Sequence, residues 1–137
     1  MKDIYGYHIP MSNKTKATRK AVKRAFKTLK DNGWYAKRNA LCCGSCAWSD
    51  VPKEYKDGNV VFYHEQDEDS FKIYGTVYLQ WQGDALQILK ALFDENLHIM
   101  WNGTEHNTIL VSGIEPDQYK DERVVYNAET GLYDKLI

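Results

Sequence analysis

The stretch that decides the fold reads Ile73-Tyr74-Gly75-Thr76-Val77-Tyr78-Leu79-Gln80-Trp81. On an extended chain Ile73, Gly75, Val77, Leu79 and Trp81 share one side, and Tyr74, Thr76, Tyr78 and Gln80 share the other. A period of two with one apolar row predicts a strand buried on one face. Its polar row can stay partly wet, as an antiparallel sheet allows.

On the N-terminal side, Val60-Val61-Phe62-Tyr63-His64 reads as a second strand, and residues 65–70 as an acidic turn between the two. On the C-terminal side, Gly83-Asp84 opens a helix. Asp84 is its expected N-cap, Gln87 stands three residues on as in a capping box, and Ala85, Ile88, Leu89, Leu92 and Phe93 form its buried stripe. Asn96 ends it. Residues 97–101 and 108–112 predict a hairpin around Asn102-Gly103, and residues 123–126 and 132–133 a last hairpin.

The N-terminal third supplies a second helix. Ala17, Ala21, Val22, Ala25, Phe26 and Leu29 recur at helical spacing, Ser12 or Asn13 can cap the start, and Asn32-Gly33 can stop it. Residues 34–41 predict another strand. Residues 1–12 read as irregular, because Pro10 disfavours a central strand, and residues 114–137 as a C-terminal extension. The sum is one domain over residues 1–137, of α+β class. An antiparallel sheet of four to five strands would carry two helices packed on one face.

Composition agrees with a globular chain. Of 137 residues 43 % are apolar and 27 % charged, and ten Tyr with four Trp supply core volume, which argues against disorder. No apolar run reaches the roughly 18–20 residues of a membrane span, and no leader is legible, so the expectation is a cytoplasmic protein without a membrane partner. The net charge is -1, but it is unevenly spread. Residues 1–58 carry 13 basic and 5 acidic side chains, and residues 59–137 carry 5 and 14. Such polarity creates a field that partners can feel, unless the halves neutralise each other on folding.

Four groups of residues invite a chemical reading. The first is the basic helix, with Arg19, Lys20, Lys23, Arg24, Lys27 and Lys30, extended by Lys37 and Arg38. It can neutralise phosphates, with Trp34 and Tyr35 beside it for stacking. Most of its lysines lack an acidic residue four positions away, so self-repulsion favours an anionic partner, outside the molecule or within it. The second is the thiol cluster Cys42, Cys43 and Cys46. Three cysteines within five residues are not a disulfide framework. The Cys43-x-x-Cys46 spacing suits two zinc ligands, with Cys42 and one of His64, His98 or His106 completing a set through space. The same cysteines also fit a redox dithiol, a nucleophile with His64 as base, or a packed strand-to-helix junction. The third is His64-Glu65-Gln66-Asp67 with Glu68 and Asp69, read as a metal or acid–base site or as a solvated acidic turn around a core histidine. The fourth is a set of tyrosines expected at the surface, Tyr55, Tyr63, Tyr74 and Tyr78, which suits recognition or a second apolar layer.

Taken in order, Gly33-Trp34-Tyr35, Cys42-Cys43-x-x-Cys46-x-Trp48, Val61-Phe62-Tyr63-His64-x-Gln66-Asp67, Tyr78-Leu79-x-Trp81 and Trp101-Asn102-Gly103 resemble an uncharacterised family of small proteins from bacteria and their viruses. Its members carry a Cys-Cys-x-x-Cys segment and a Phe-His-Glu-Gln-Asp segment at similar separation. The resemblance spans residues 20–113. It implies no catalytic role, but it ties the thiol cluster to the His64 strand.

These readings converge on a non-catalytic binding module. The basic helix would engage a protein or nucleoprotein partner, with nucleic acid an option, the acidic half would meet a basic one, and no cofactor is needed. In the virus-type setting that the resemblance implies, the target would be a host defence nucleoprotein. The competing reading is a zinc- or thiol-dependent protein with its site at Cys42, Cys43, Cys46 and His64.

Overall fold

The computed structural model describes residues 11–40, 44–104, 108–114 and 124–135. Helix α1 (Asn13–Asp31) leads into strand β1 (Tyr35–Ala40). Helix α2 (Gly44–Asp50) and a single 3-10 turn (Lys53–Tyr55) precede β2 (Val60–His64). Then come α3 (Glu65–Tyr74), β3 (Val77–Gln82), α4 (Ala85–Phe93), β4 (Leu97–Met100), β5 (Ile109–Ile114), β6 (Val124–Asn127) and β7 (Leu132–Lys135). The strands form one seven-stranded sheet in the order β1-β2-β3-β5-β4-β6-β7.

This corrects the expected architecture of four to five antiparallel strands with two helices. The sheet is mixed: β1 runs parallel to β2, and β4 parallel to β6. The other neighbours are antiparallel. Four helices are present among the described residues, and they do not share one face. Val61 and Tyr63 point into the main core with α1, α3 and α4, whereas Val60 and Phe62 point to the opposite face and meet Ala47 of α2 and Val51 just after it. The parallel β1–β2 pair follows from the link between them, since a parallel neighbour needs a crossover rather than a tight turn.

The deciding stretch itself is split. Val77, Leu79 and Trp81 are buried and Tyr78 is exposed, as the alternation requires. Ile73 and Tyr74, however, are the last turn of α3 and lie in the open. The residues read as an acidic turn form that helix. Glu65, Asp67 and Glu68 occupy its first turn, where the helix dipole favours carboxylates, and Gly75 caps its end at φ 73. One apolar side chain anchors it: Phe71 is fully buried and meets the Tyr63 ring edge-on at 5.7 Å. Burial of one such ring contributes about 1.5–3 kcal/mol toward holding the helix against the core.

The main core is built by Ala21, Val22, Ala25, Phe26 and Leu29 of α1, by the apolar face of α4, and by the inward rows of β2 to β6. Trp34 is 2 % exposed, and its indole N–H donates to Gln87 Oε1 at 2.8 Å, tying the end of α1 to α4. A smaller core on the other face holds Ala40, Ala47, Val51, Val60 and Phe62. Trp48 closes it, edge-on to Phe62 at 4.8 Å and donating to Gln80 Oε1 at 2.9 Å.

Candidate functional site

Helix α1 begins where Ser12 accepts from the Thr15 amide at 3.1 Å. Its apolar stripe fixes which side faces outward. Lys16, Lys20, Lys23, Lys27 and Lys30 step by four, three, four and three residues, so they line one edge, and all five are exposed. Lys27 pairs with Asp31 at 3.0 Å. Lys16, Lys20, Lys23 and Lys30 make no ion pair among the described residues.

The two arginines behave differently. Arg19 Nη2 lies 2.5 Å from Glu68 Oε1, and its guanidinium stands 5.0 Å over the Phe71 ring. Arg24 Nε donates to Glu95 Oε1 at 2.6 Å. Both therefore turn toward the acidic half of their own chain and neutralise part of the charge asymmetry. Lys37 pairs with Asp50 of α2 at 3.5 Å, and so belongs to the opposite side of the sheet from α1. Arg38 is exposed on β1. Stacking beside the helix does not fit the geometry, because Trp34 is buried and Tyr35 packs on Tyr55 at 5.6 Å.

The end of β2 gathers the second group. Register pairs His64 with Ala40, the residue two positions before Cys42. His64 Nε2 stands 3.3 Å from Asp67 Oδ2, while Nδ1 is buried with no hydrogen-bond partner. Burial raises the Asp67 pKa, and the neighbouring His64 opposes that shift. Cys46 is exposed on α2, and Cys42 and Cys43 lie outside the described residues, as does His106. Among the described residues no group of three or more His, Cys, Asp or Glu side chains is arranged to hold a metal ion.

Glu68 is not the solvated acid of a turn. Its side chain is 8 % exposed and also approaches Lys72 at 3.8 Å. The Tyr63 phenol is pushed well above its ordinary pKa, first by burial and then by the Glu68 charge, with Arg19 opposing. Of the tyrosines expected at the surface, Tyr63 is thus buried, Tyr55 half-buried, and Tyr74 and Tyr78 exposed.

One feature of the sheet was not legible in the sequence. Tyr78, Leu110, Met100, Tyr126 and Tyr133 are consecutive cross-strand partners and form a single row across β3, β5, β4, β6 and β7. Tyr78, Met100 and Leu110 line a hollow of about 240 Å³ whose rim includes Asn102 and Glu129. At one end of this face His98 sits between two hydroxyls, Ser112 Oγ at Nδ1 and Tyr133 Oη at Nε2, the latter at 3.2 Å. Only the outward phase of Tyr78 announces this surface in the sequence. Its other members come from strands whose pairing has no local signal.

The architecture is that of an α+β domain with a mixed sheet, three helices on one face, a short helix on the other, and a lysine edge on the longest helix. The chain belongs to DUF6891, a family defined by a domain of unknown function, whose sequence profile matches residues 12–118. No curated protein and no solved structure matches it. Among the described residues no helix is long and apolar enough to cross a membrane.

Proposed function

We propose that this domain is a non-catalytic binding module whose α1 lysine edge docks on an anionic protein or nucleoprotein partner. The observation that carries the reading is a division of labour within one helix. Arg19 and Arg24 have internal carboxylates, whereas Lys20, Lys23 and Lys30 have none among the described residues. From Lys16 to Lys30 the edge runs roughly 21 Å at 1.5 Å per residue, long enough to follow several phosphates or a row of carboxylates. With Trp34 buried and Tyr35 packed on Tyr55, affinity would come mainly from charge and would fall steeply with salt, by roughly 0.9 log units per tenfold salt for each phosphate neutralised on a duplex. A host defence nucleoprotein as the partner is the finer form of this reading, and it rests on the family resemblance.

The test uses fluorescence anisotropy with three probes: a random-sequence duplex, a single strand and an acidic polypeptide. Wild type is expected to bind at least one of them, more weakly as salt rises. Lys20→Glu with Lys23→Glu and Lys30→Glu should lose about tenfold or more, with an unchanged circular dichroism spectrum. No binding by wild type, or equal binding by the folded triple variant, overturns the proposal.

A further inference from the structure

Beside the tyrosine row of the sheet stands a carboxylate that is held in place and has no cation. Asn102 Nδ2 donates to Glu129 Oε1 at 3.0 Å, bridging the segment after β4 and the turn between β6 and β7. Asn102 is itself fixed, because its Oδ1 accepts from the Thr104 amide at 3.1 Å and from the Thr104 hydroxyl at 2.8 Å. With its carbonyl taken twice, the side chain has its NH2 group left to offer. From the other side, the Glu129 amide donates to Asn127 Oδ1 at 3.0 Å. Glu129 is exposed and makes no ion pair among the described residues.

The hollow that Glu129 overlooks has an apolar floor. Tyr78, Leu110 and Met100, partners across β3, β5 and β4, line it, and its volume is about 240 Å³. Tyr78 is 53 % exposed, so its ring is open to a guest. Tyr126, the partner of Met100 on β6, continues the floor and is half-buried. Pockets that enclose a small-molecule ligand run to roughly 300–1,000 Å³. This one is smaller and suits a single long side chain whose own backbone rests along the row. The face of a tyrosine ring attracts a cation, and so does the carboxylate. The surrounding half of the chain agrees in sign, with 14 acidic and 5 basic side chains over residues 59–137.

We infer that this hollow receives an arginine side chain from a basic segment of a partner protein, its guanidinium lying on the Tyr78 ring and donating to the Glu129 carboxylate. Arginine suits the site better than lysine. A guanidinium is planar and weakly hydrated, stacks on aromatic rings and matches a carboxylate with its fork of N–H groups, whereas an ammonium is a compact, strongly hydrated charge. Asn102 takes Glu129 Oε1 and leaves Oε2 to the guest, so Asn102 is a positioning residue. The site lies on the sheet face opposite α1, since Val77 and Leu79, which flank Tyr78 on β3, point into the core that α1 covers. It is therefore independent of the lysine edge, and either can fail without the other.

The experiment is a titration of the isotope-labelled, full-length protein, followed by the amide shifts in its NMR spectrum. The probes are three end-capped peptides that alternate serine with arginine, with lysine or with citrulline. The arginine peptide should move the amides of Tyr78, Met100, Asn102 and Glu129. The lysine peptide should bind more weakly, and the citrulline peptide, which keeps the shape and loses the charge, should leave those amides in place. Glu129→Gln preserves an acceptor for Asn102 and removes the charge, so it should weaken the arginine peptide by about fivefold with the rest of the spectrum unchanged. Tyr78→Leu preserves apolar area and removes the ring, with a loss of about two- to fivefold. The lysine triple variant should bind the arginine peptide as wild type does. Absence of those shifts, equal affinity for the arginine peptide and either of the other two, or an arginine affinity unchanged in the folded Glu129→Gln variant, overturns the inference.

Discussion

Arg19 Nη2 and Glu68 Oε1 stand 2.5 Å apart between α1 and α3, one from the basic half of the chain and one from the acidic half. The pair changes how the charge asymmetry reads. Part of it is spent inside the molecule, where Glu68 is buried and Arg19 is stacked on Phe71. What remains for others is the lysine edge.

Removing one member of this pair strands the other. Glu68→Gln is expected to cost about 3 kcal/mol, the low end for breaking a buried ion pair, because the Arg19 side chain keeps 22 % exposure. Replacing both, Arg19→Met with Glu68→Leu, should recover most of that loss, since two desolvated charges are exchanged for apolar contact. Urea midpoints with an unchanged m value would check both expectations.

Gly83 turns β3 into α4 at φ 105, and a Cβ there would collide with the Asn59 side chain. Asn59 Oδ1 is needed in place, because it accepts from the Asp84 amide at 3.1 Å. Gly83→Ala is therefore expected to cost about 3 kcal/mol, backbone strain of ~1–2 kcal/mol plus displacement of that acceptor. Gly103→Ala is the control: its φ is 83, but nothing among the described residues lies within 4 Å, so the backbone strain of ~1–2 kcal/mol is the expected cost. Thermal melts of the two variants should differ in that order.

The contrast between legible and illegible parts has a physical basis. Helices α1 and α4 were legible because each buries a continuous stripe, and Asp84 does cap α4, accepting from the Leu86 amide at 3.1 Å. Gln87 does not complete the expected box. Its amide donates to Asp84 Oδ2, and its carbonyl is taken by Trp34. Helix α3 was missed because Phe71 is its one buried apolar side chain, and because Ile73-Tyr74 prolongs, by coincidence, the alternation of the following strand. Helix α2 has seven residues and no period to read. Strand direction was illegible at β1–β2 and β4–β6, since pairing is settled by distant packing. The site shows the same divide. The lysine edge was visible as spacing, but the turning of Arg19 and Arg24 toward Glu68 and Glu95 depended on where α3 and the end of α4 came to rest.

Trp48 is the clamp of the smaller core. Trp48→Phe keeps a ring against Phe62 and forfeits the hydrogen bond to Gln80, for about 1 kcal/mol. Trp48→Ala loses both and is expected to cost about 3 kcal/mol, the lower bound for truncating a buried Trp, because this one is half-buried. Hydrogen exchange should locate the loss in α2 and β2, leaving α1 and α4 protected.

His98 sets the last expectation, which concerns pH. Burial lowers its pKa below the ordinary histidine value. Its ring is flanked by the hydroxyls of Ser112 and Tyr133, and it has no carboxylate at ion-pair distance among the described residues. The neutral ring fits this setting: Nδ1–H donates to Ser112 Oγ, and the Tyr133 hydroxyl donates to Nε2. Protonation would turn Nε2 into a second donor and place a charge where no carboxylate among the described residues pairs with it. Because the folded value is depressed, the unfolded chain binds more protons than the folded one between that value and about 6.5, and stability rises with pH across this window. The contribution is whole above about pH 6.5 and is lost as the pH falls through the window. Tyr133 belongs to β7, the edge strand, so loosening should start there. Urea midpoints between about pH 7.5 and 5.5 should therefore fall more steeply for wild type than for His98→Gln, which cannot take up the proton. Parallel slopes for the two proteins would show that His98 titrates alike in the folded and unfolded chains, and the difference between the slopes isolates this ring from the other histidines, which both proteins share.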